Sequence, residues 1–213
     1  TQSKLMFFTN VSHDLRTPLT LIAEPVTQLA AADNLTPQQH TLIRIADKNV
    51  RILQRLINQI LDFRKYENGK LNLRLAEIDF DKAVNDWMES FYAVARKRDI
   101  KLTLSSPTAG NAMPIALDSE KIERVFFNLL SNAFKYTPDN GSIAVSYSCD
   151  GNMLTFKVAD TSEGISERDL GNIFDRFYQV DRIHPKGSGI GLSLAKAFVE
   201  LHGGTISVES ALN

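Results

Sequence analysis

Ser119-Glu-Lys-Ile-Glu-Arg-Val-Phe-Phe-Asn-Leu-Leu-Ser-Asn-Ala-Phe-Lys-Tyr136 reads as one amphipathic helix. Ile122, Val125, Phe126, Leu129 and Ala133 fill much of one side. Lys121, Arg124, Asn128, Asn132 and Lys135, spaced 3, 4, 4 and 3, share the other. That polar stripe holds cations and amides but no carboxylate, whereas an ordinary solvated face mixes both signs. Amide oxygens can ligate Mg²⁺ and ammonium groups can meet phosphate oxygens, so the stripe points to a metal–nucleotide site.

The flanking sequence supplies a scaffold. Asp81 to Arg98 reads as an amphipathic helix with Val84, Trp87, Phe91 and Val94 inward. Ile100–Leu104 and Ile115–Leu117 read as short strands. Ile143–Ser148 and Met153–Val158 alternate apolar and polar around Cys149-Asp150-Gly151-Asn152, a hairpin signal. Gly189–Leu201 reads as a helix and Thr205–Ser210 as a strand. Mixed helices and strands with an antiparallel hairpin predict an α+β two-layer sandwich.

Two further segments have phosphate or base chemistry. Gly187-Ser-Gly-Ile-Gly-Leu192 opens the last long helix. Glycines there let backbone N–H groups approach an anion, and the helix N-terminus adds partial positive charge. The segment lacks the Lys-Ser/Thr ending of a P-loop, and no clear strand precedes it, which disfavours a Rossmann fingerprint. Asp160-Thr-Ser-Glu-Gly-Ile165 follows a strand edge, where a carboxylate can accept a hydrogen bond from an exocyclic amine such as that of adenine. Gly164 would leave room for a flat ring.

The first third has a different period. Leu5, Phe8, Ser12, Leu15, Leu19, Ile22, Val26 and Leu29 recur at alternating steps of three and four, a seam of period 3.5. Thr36, Pro37 and Gln39 spell an N-cap, a first helical position and a capping box. The second helix then runs to about Tyr66 and ends near Asn68-Gly69. It carries two apolar rows, Leu42, Ile45, Ile52, Leu56 and Phe63, and Ile43, Ala46, Val50, Leu53, Ile57 and Ile60. Two helices cannot cover so wide a stripe, so the hairpin is expected to pair with a second copy in a homodimeric four-helix bundle. The competing reading is that the C-terminal domain covers it.

The chain has 213 residues, 43% of them apolar, enough to bury a sizeable core and to exclude a disordered polymer. Lys plus Arg is 24 and Asp plus Glu 25, a balance unlike that of a dedicated nucleic-acid binder. A single cysteine, Cys149, excludes a disulfide framework. No apolar run is long enough to span a bilayer, so no direct membrane contact is expected of this stretch. With no leader and no initiating Met, the sequence reads as a cytosolic piece of something longer.

Four segments together resemble the bacterial sensor histidine kinases. Asn128-Leu-Leu-Ser-Asn132-Ala-Phe-Lys135-Tyr136-Thr137-Pro138 is similar to their N box. Asp160–Ile165 is similar to their first glycine box, Ile173-Phe-Asp-Arg-Phe177-Tyr178 to the F box, and Gly187–Leu192 to the second glycine box, all in family order. The resemblance implies a GHKL-type sandwich binding ATP with Mg²⁺. Asn128 and Asn132 would stand near the metal and Lys135 near phosphate. Tyr136, Asp160 and Gly164 would stand near adenine, with Gly187, Gly189 and Gly191 on the phosphate side. Tyr178–Lys186 then resembles the ATP lid, with Asp181, Arg182, His184 and Lys186 as its polar residues.

Phe8-Thr-Asn-Val-Ser-His13-Asp14-Leu15-Arg16-Thr17-Pro18-Leu19 resembles the H box of the same family. On the helix, His13 follows the seam residue Ser12 by about 100°, which puts it on the flank. An imidazole with an ordinary pKa near 6.5 is largely neutral and nucleophilic at neutral pH. By family precedent, Asp14 holds one imidazole N–H or takes the proton, and Thr17 orients water when phosphate is removed from a partner protein. Pro18 removes the helical partner of the Asp14 carbonyl, so a bend is expected just beyond His13, repeated at Pro25.

The resemblance thus implies a dimerising phosphoacceptor hairpin over residues 1–70 and an ATP-binding domain over 75–213. The γ-phosphoryl group would pass to His13 and then to an aspartate of a response-regulator receiver domain. Phe7–His13 and Leu61–Glu67 are similar to hybrid sensor kinases, whose receiver follows on the same chain. The full-length protein is expected to be anchored in the bacterial inner membrane with this core on the cytoplasmic side. Two departures stand out: Ser162 occupies a position where the family usually has Gly, and the chain stops at Asn213, where the family usually adds a strand. They motivate an alternative, a non-catalytic dimeric signalling module with weakened nucleotide binding. A GHKL ATPase of the chaperone or topoisomerase kind is a third reading, disfavoured because Asn128 stands where those enzymes use a catalytic Glu.

Overall fold

A computed structural model of the chain describes residues 18–32, 35–106, 113–150, 153–180 and 189–212. The chain divides into two compact units, Thr1–Leu71 and Asn72–Asn213.

In the first unit, helix α1 covers residues 18–30 and α2 covers Pro37–Glu67. The α2 start is the reciprocal capping box that its sequence spells. The Thr36 N–H donates to Gln39 Oε1 at 2.8 Å, and the Gln39 N–H donates to Thr36 Oγ1 at 3.3 Å. Its end is a Schellman motif: the Gly69 N–H reaches the Tyr66 carbonyl, the Lys70 N–H reaches the Lys65 carbonyl, and Gly69 has φ +62°. Helix α1 runs on through Pro25, although that residue has no N–H for the Leu21 carbonyl. The bend expected at Asp14 lies outside the described residues.

Within this unit Thr27 Oγ1 donates to Asp47 at 3.1 Å, tying α1 to α2. Asp47 also pairs with Arg51 at 2.8 Å, and that bond holds its carboxyl below the usual range. Leu19 and Val50 are buried, while Ile43, Ala46, Ile57 and Ile60 are half-buried. Leu21, Ile22, Leu29, Leu42, Ile45, Ile52 and Leu53 remain 39–70% exposed. The two apolar rows of α2 therefore differ: the row through Val50 packs mostly inward, and the row through Leu42 and Ile45 faces out.

The second unit contains, in order, β1 (Ala76–Asp79), α3 (Phe80–Lys97), β2 (Lys101–Ser105), β3 (Pro114–Leu117) and α4 (Ser119–Tyr136). These are followed by β4 (Ser142–Asp150), β5 (Met153–Asp160), α5 (Glu167–Leu170) and α6 (Gly191–Leu201). Strands β2, β4 and β5 form one sheet, with β2 parallel to β4 and β4 antiparallel to β5. Strands β1 and β3 form an antiparallel pair, with Ile78 opposite Ile115. Helices α3 and α4 pack on this strand layer, and α4 also packs against α6. This is the expected α+β two-layer sandwich.

Its core is apolar and aromatic. Phe80, Val84, Met88, Phe126, Leu130, Ile143 and Val145 are essentially buried. Phe126 lies 5.3 Å from both Trp87 and Phe156, and Phe91 stacks on Phe134 at 5.3 Å. Each such buried ring contributes roughly 1.5–3 kcal/mol of transfer free energy. Behind the sheet face, the Tyr147 hydroxyl donates to the buried Asp81. Burial, reinforced by that carboxylate, pushes the Tyr147 hydroxyl up to about 12.

Four readings need correction. Val94 is exposed, because the buried stripe of α3 runs Val84, Trp87, Met88, Phe91, Ala95 and so passes it by. Strand β1 and the short α5 were not anticipated. Helix α6 begins at Gly191, two residues later than read, since Gly189 has φ +69°, outside helical space. Thr205–Ser210 alternates like a strand but is irregular. A strand exists only through a ladder, and the described bond there runs from the Ile165 N–H to the Ser210 side chain rather than to backbone.

Candidate nucleotide site

Helix α4 carries the site, and its two ends are built differently. Asp118 is the N-cap: its carboxylate accepts the Lys121 N–H at 3.2 Å and the Arg74 N–H at 2.9 Å. The Lys121 ammonium closes on the same carboxylate at 2.5 Å, and Arg124 pairs with Glu120 at 2.8 Å. Burial works to raise the Asp118 carboxyl, but the bonds from Lys121 and the two N–H groups outweigh it and hold the carboxyl below its ordinary value. The cations of the first half of the stripe thus have carboxylate partners at the N-terminal end of the helix. The five stripe positions hold no carboxylate, but Lys121 and Arg124 are paired with Asp118 and Glu120 beside them.

The second half approaches the start of α6 through Asn128. A side chain on Gly191 would come within 3.3 Å of Asn128 Oδ1, so the bare backbone is what lets the amide of Asn128 approach the first turn of α6. Among the described residues no side chain caps that turn. Asn132 lies one turn further along the same α4 face and Lys135 a turn beyond, its ammonium 4.6 Å from the centre of the Tyr136 ring.

The C-terminal end of α4 is clamped from α3. Arg98 pairs with Asp139 at 2.7 Å and donates to the carbonyls of Thr137 (2.7 Å) and Phe134. These bonds satisfy end-of-helix carbonyls with a cation, which the helix dipole also favours. Thr137 is 1% exposed, and its Oγ1 is the buried side-chain polar atom without a hydrogen-bond partner among the described residues. Gly141 brings this end against the β5 exit: a Cβ there would meet Thr137 Cγ2 at 2.5 Å and Thr161 Oγ1 at 2.9 Å. Thr161 brackets Ser142 through its N–H and hydroxyl, and one oxygen of Asp160 accepts the Ser162 N–H at 3.0 Å. Asp160 itself is exposed at the strand end.

Two further glycines are held in close backbone contacts. Gly164 has φ +85°, and a Cβ there would strike the Ala211 carbonyl at 1.9 Å. The returning C-terminal backbone packs against the bare Gly164. Gly189 would strike the Phe177 backbone at 2.7 Å, and the Phe177 N–H donates to the Gly189 carbonyl at 3.0 Å. This brings the Ile173–Tyr178 segment to the threshold of α6, with the Phe177 side chain exposed and its φ at +59°. Ser162 is not among the positive-φ residues, so its backbone accommodates a side chain without strain. His13, Asp14, Thr17, Gly187 and residues 181–186 of the lid lie outside the described residues.

The donor set fits a magnesium nucleotide. Among the described residues no group of three or more His, Cys, Asp or Glu side chains could hold a metal. Mg²⁺ needs none, since it keeps its waters and is bound through few protein oxygens plus substrate phosphates. The amide oxygens of Asn128 and Asn132 could supply that share, and the orphaned Thr137 hydroxyl and Asp160 could supply polar contacts at the base end. Sequence reading missed Asp118, Thr137, Arg98 and His202. Asp118 was legible as a capping residue before Ser119, whereas the others depend on tertiary neighbours.

Residues 117–213 match the family described as histidine kinase-, DNA gyrase B- and HSP90-like ATPase, and residues 3–69 match the His Kinase A phospho-acceptor domain. Histidine kinase P4 of Formosa agariphila is 38% identical over 211 residues, covering 96% of this chain and 15% of that protein. Hybrid signal transduction histidine kinase D of Dictyostelium discoideum is 36% identical over 215 residues, covering 97% of this chain and 14% of that protein. The crystal structure of full-length ShkA in complex with AMPPNP superposes with a TM-score of 0.80 at 25% identity, over 98% of this chain and 43% of that one. The chain belongs to the sensor histidine kinases and carries their catalytic core, a HisKA region followed by a GHKL ATPase domain. It spans about a seventh of the length of these two relatives.

Proposed function

We propose that this core binds Mg-ATP in its C-terminal domain, about residues 75–213, and phosphorylates His13 on the hairpin of residues 1–70. The observation that carries the reading is the approach of Asn128 to the backbone of Gly191, which joins an amide suited to Mg²⁺ with a helix N-terminus suited to phosphate. Asn128 and Asn132 hold the metal, Lys135 and the backbone of Gly187, Gly189 and Gly191 meet phosphate oxygens, and Tyr136 and Asp160 stand beside the base. Bound Mg²⁺ supplies charge neutralisation on the phosphates. Gly164 supports the Asp160 turn by admitting the Ala211 carbonyl.

The imidazole lone pair of His13 attacks the γ-phosphorus, a P–N bond forms, and the P–O bond to ADP breaks. Asp14 holds the opposite ring nitrogen and takes the proton. Catalysis is then mostly positioning and charge stabilisation. The phosphoryl group passes on to an aspartate of a response-regulator receiver domain, separate or on the same full-length chain, and Thr17 orients water when that phosphate is hydrolysed. The exposed row Leu42, Ile45 and Ile52, with Ile22 and Leu29 of α1, supports assembly of the hairpin as a homodimeric four-helix bundle. Use of ATP and transfer to a receiver domain support a position on the cytoplasmic side of the inner membrane, with the full-length protein anchored there. Among the described residues no helix is long and apolar enough to cross a membrane.

The test mixes two inactive variants, His13→Gln and Asn132→Ala, and follows γ-labelled phosphate. Wild type is expected to label, and each variant alone is not. Label in the mixture identifies transfer between the two chains of a dimer, and its absence transfer within one chain. Labelling of either single variant at the wild-type rate would refute the assignment of that residue.

A further inference from the structure

His202 closes α6 with both ring nitrogens engaged by backbone. Nδ1 lies 2.7 Å from the Phe198 carbonyl oxygen, and Nε2 accepts the Asp118 N–H at 3.1 Å. A carbonyl can only accept and an N–H can only donate. These partners therefore select one form of the ring: neutral, with the proton on Nδ1 and the lone pair on Nε2.

The partner is not an arbitrary backbone group. Asp118 is buried and is the N-cap of α4, its carboxylate already committed to Arg74 and Lys121. The end of α6 is thus tied to the start of α4. Asn128 lies ten residues along α4 from this tie, and Gly191 lies eleven residues back along α6. At about 1.5 Å per residue, the two segments match in length to within one residue. Two packed helices held at two such points have a fixed register. A slip of one residue at the His202 end would rotate Gly191 away and put a side chain against Asn128.

We propose that His202 is a positioning residue for the nucleotide: it sets the register of α6 on α4 and so holds the first turn of α6 opposite Asn128. The proposal rests on the reading that this end of α4 takes Mg-ATP. The sequence gives it no signal beyond a His-Gly-Gly helix ending, since the acceptor role depends on an N–H eighty-four positions earlier.

The experiment uses the full chain as wild type, His202→Ala and His202→Gln, with Mg-ATP affinity measured by calorimetry and folding followed by circular dichroism. His202→Ala is expected to bind about tenfold more weakly while keeping a cooperative melt, a size usual for contacts that orient a ligand-binding group without touching the ligand. Gln places an acceptor oxygen near the position of Nε2 and is expected to recover most of the affinity. Equal affinity of His202→Ala and wild type, or no recovery with Gln, would overturn the proposal. Nitrogen-15 imidazole spectra of the wild type at neutral pH give a separate reading. The Nδ1–H neutral tautomer is expected, and an Nε2–H tautomer or an imidazolium would overturn it even if the Ala variant does not fold. Failure of the wild type to bind Mg-ATP would instead sink the nucleotide reading and leave the tautomer to judge the clamp.

Discussion

The two halves of α4 place polar side chains on the same face and do different jobs. In the first, Lys121 and Arg124 close on Asp118 and Glu120 at the N-terminal end of the helix. In the second, Asn128 approaches the glycine backbone of α6 and the helix runs on to a buried, unpartnered hydroxyl at Thr137. A helical wheel cannot separate them, because spacing reports direction and not partnership. What distinguishes a binding stripe from a structural one is whether its charges are already satisfied by neighbours one turn away.

Substitutions that respect this division should sort by size. The largest effect belongs to the open half: Asn132→Ala is expected to weaken Mg-ATP binding by more than about 100-fold, beyond what groups that merely support a metal ligand usually cost. Retention of wild-type affinity would erase the distinction between the halves. In the closed half, Asp118→Asn is expected to lower stability by about 1–2 kcal/mol at neutral pH while Mg-ATP affinity changes far less, because charged hydrogen bonds and an ion pair are replaced by a neutral cap.

The pH dependence of that loss follows from linkage. The Asp118 carboxyl sits below its ordinary value of 3.8 in the folded chain, so the unfolded chain binds more protons as the medium is acidified. Its stabilisation is therefore fully present above about pH 4 and is lost as pH falls through the folded value. Acid denaturation of wild type and Asp118→Asn should converge at low pH. Curves that stay parallel would show that Asp118 is not the group responsible. The smallest effect is expected at Arg124→Gln, where an exposed i, i+4 pair contributes only about 0.3–0.5 kcal/mol. A loss of nucleotide affinity there would move Arg124 into the binding half.

Much of the architecture was legible. The boundaries of α4 follow from Asp118-Ser119 at one end and Thr137-Pro138 at the other, and the capping box at Thr36 fixes the start of α2. Strand β1 was not legible: Ala76-Glu-Ile-Asp79 is too short to show a period, and its pairing with β3 decides it. Thr205–Ser210 failed in the other direction, since alternation signals a strand only if a ladder partner is available. The glycines show a similar limit. Sequence shows that Gly164 is needed but not whether a ring or a neighbouring backbone needs it, and here the Ala211 carbonyl does.

Phosphate has one expected destination, the His13 imidazole. Wild-type chain incubated with Mg²⁺ and γ-labelled ATP is expected to gain a label that is labile in acid and stable in alkali, as a phosphoramidate is, and the His13→Gln chain to gain none. The same label on the His13→Gln chain would contradict it.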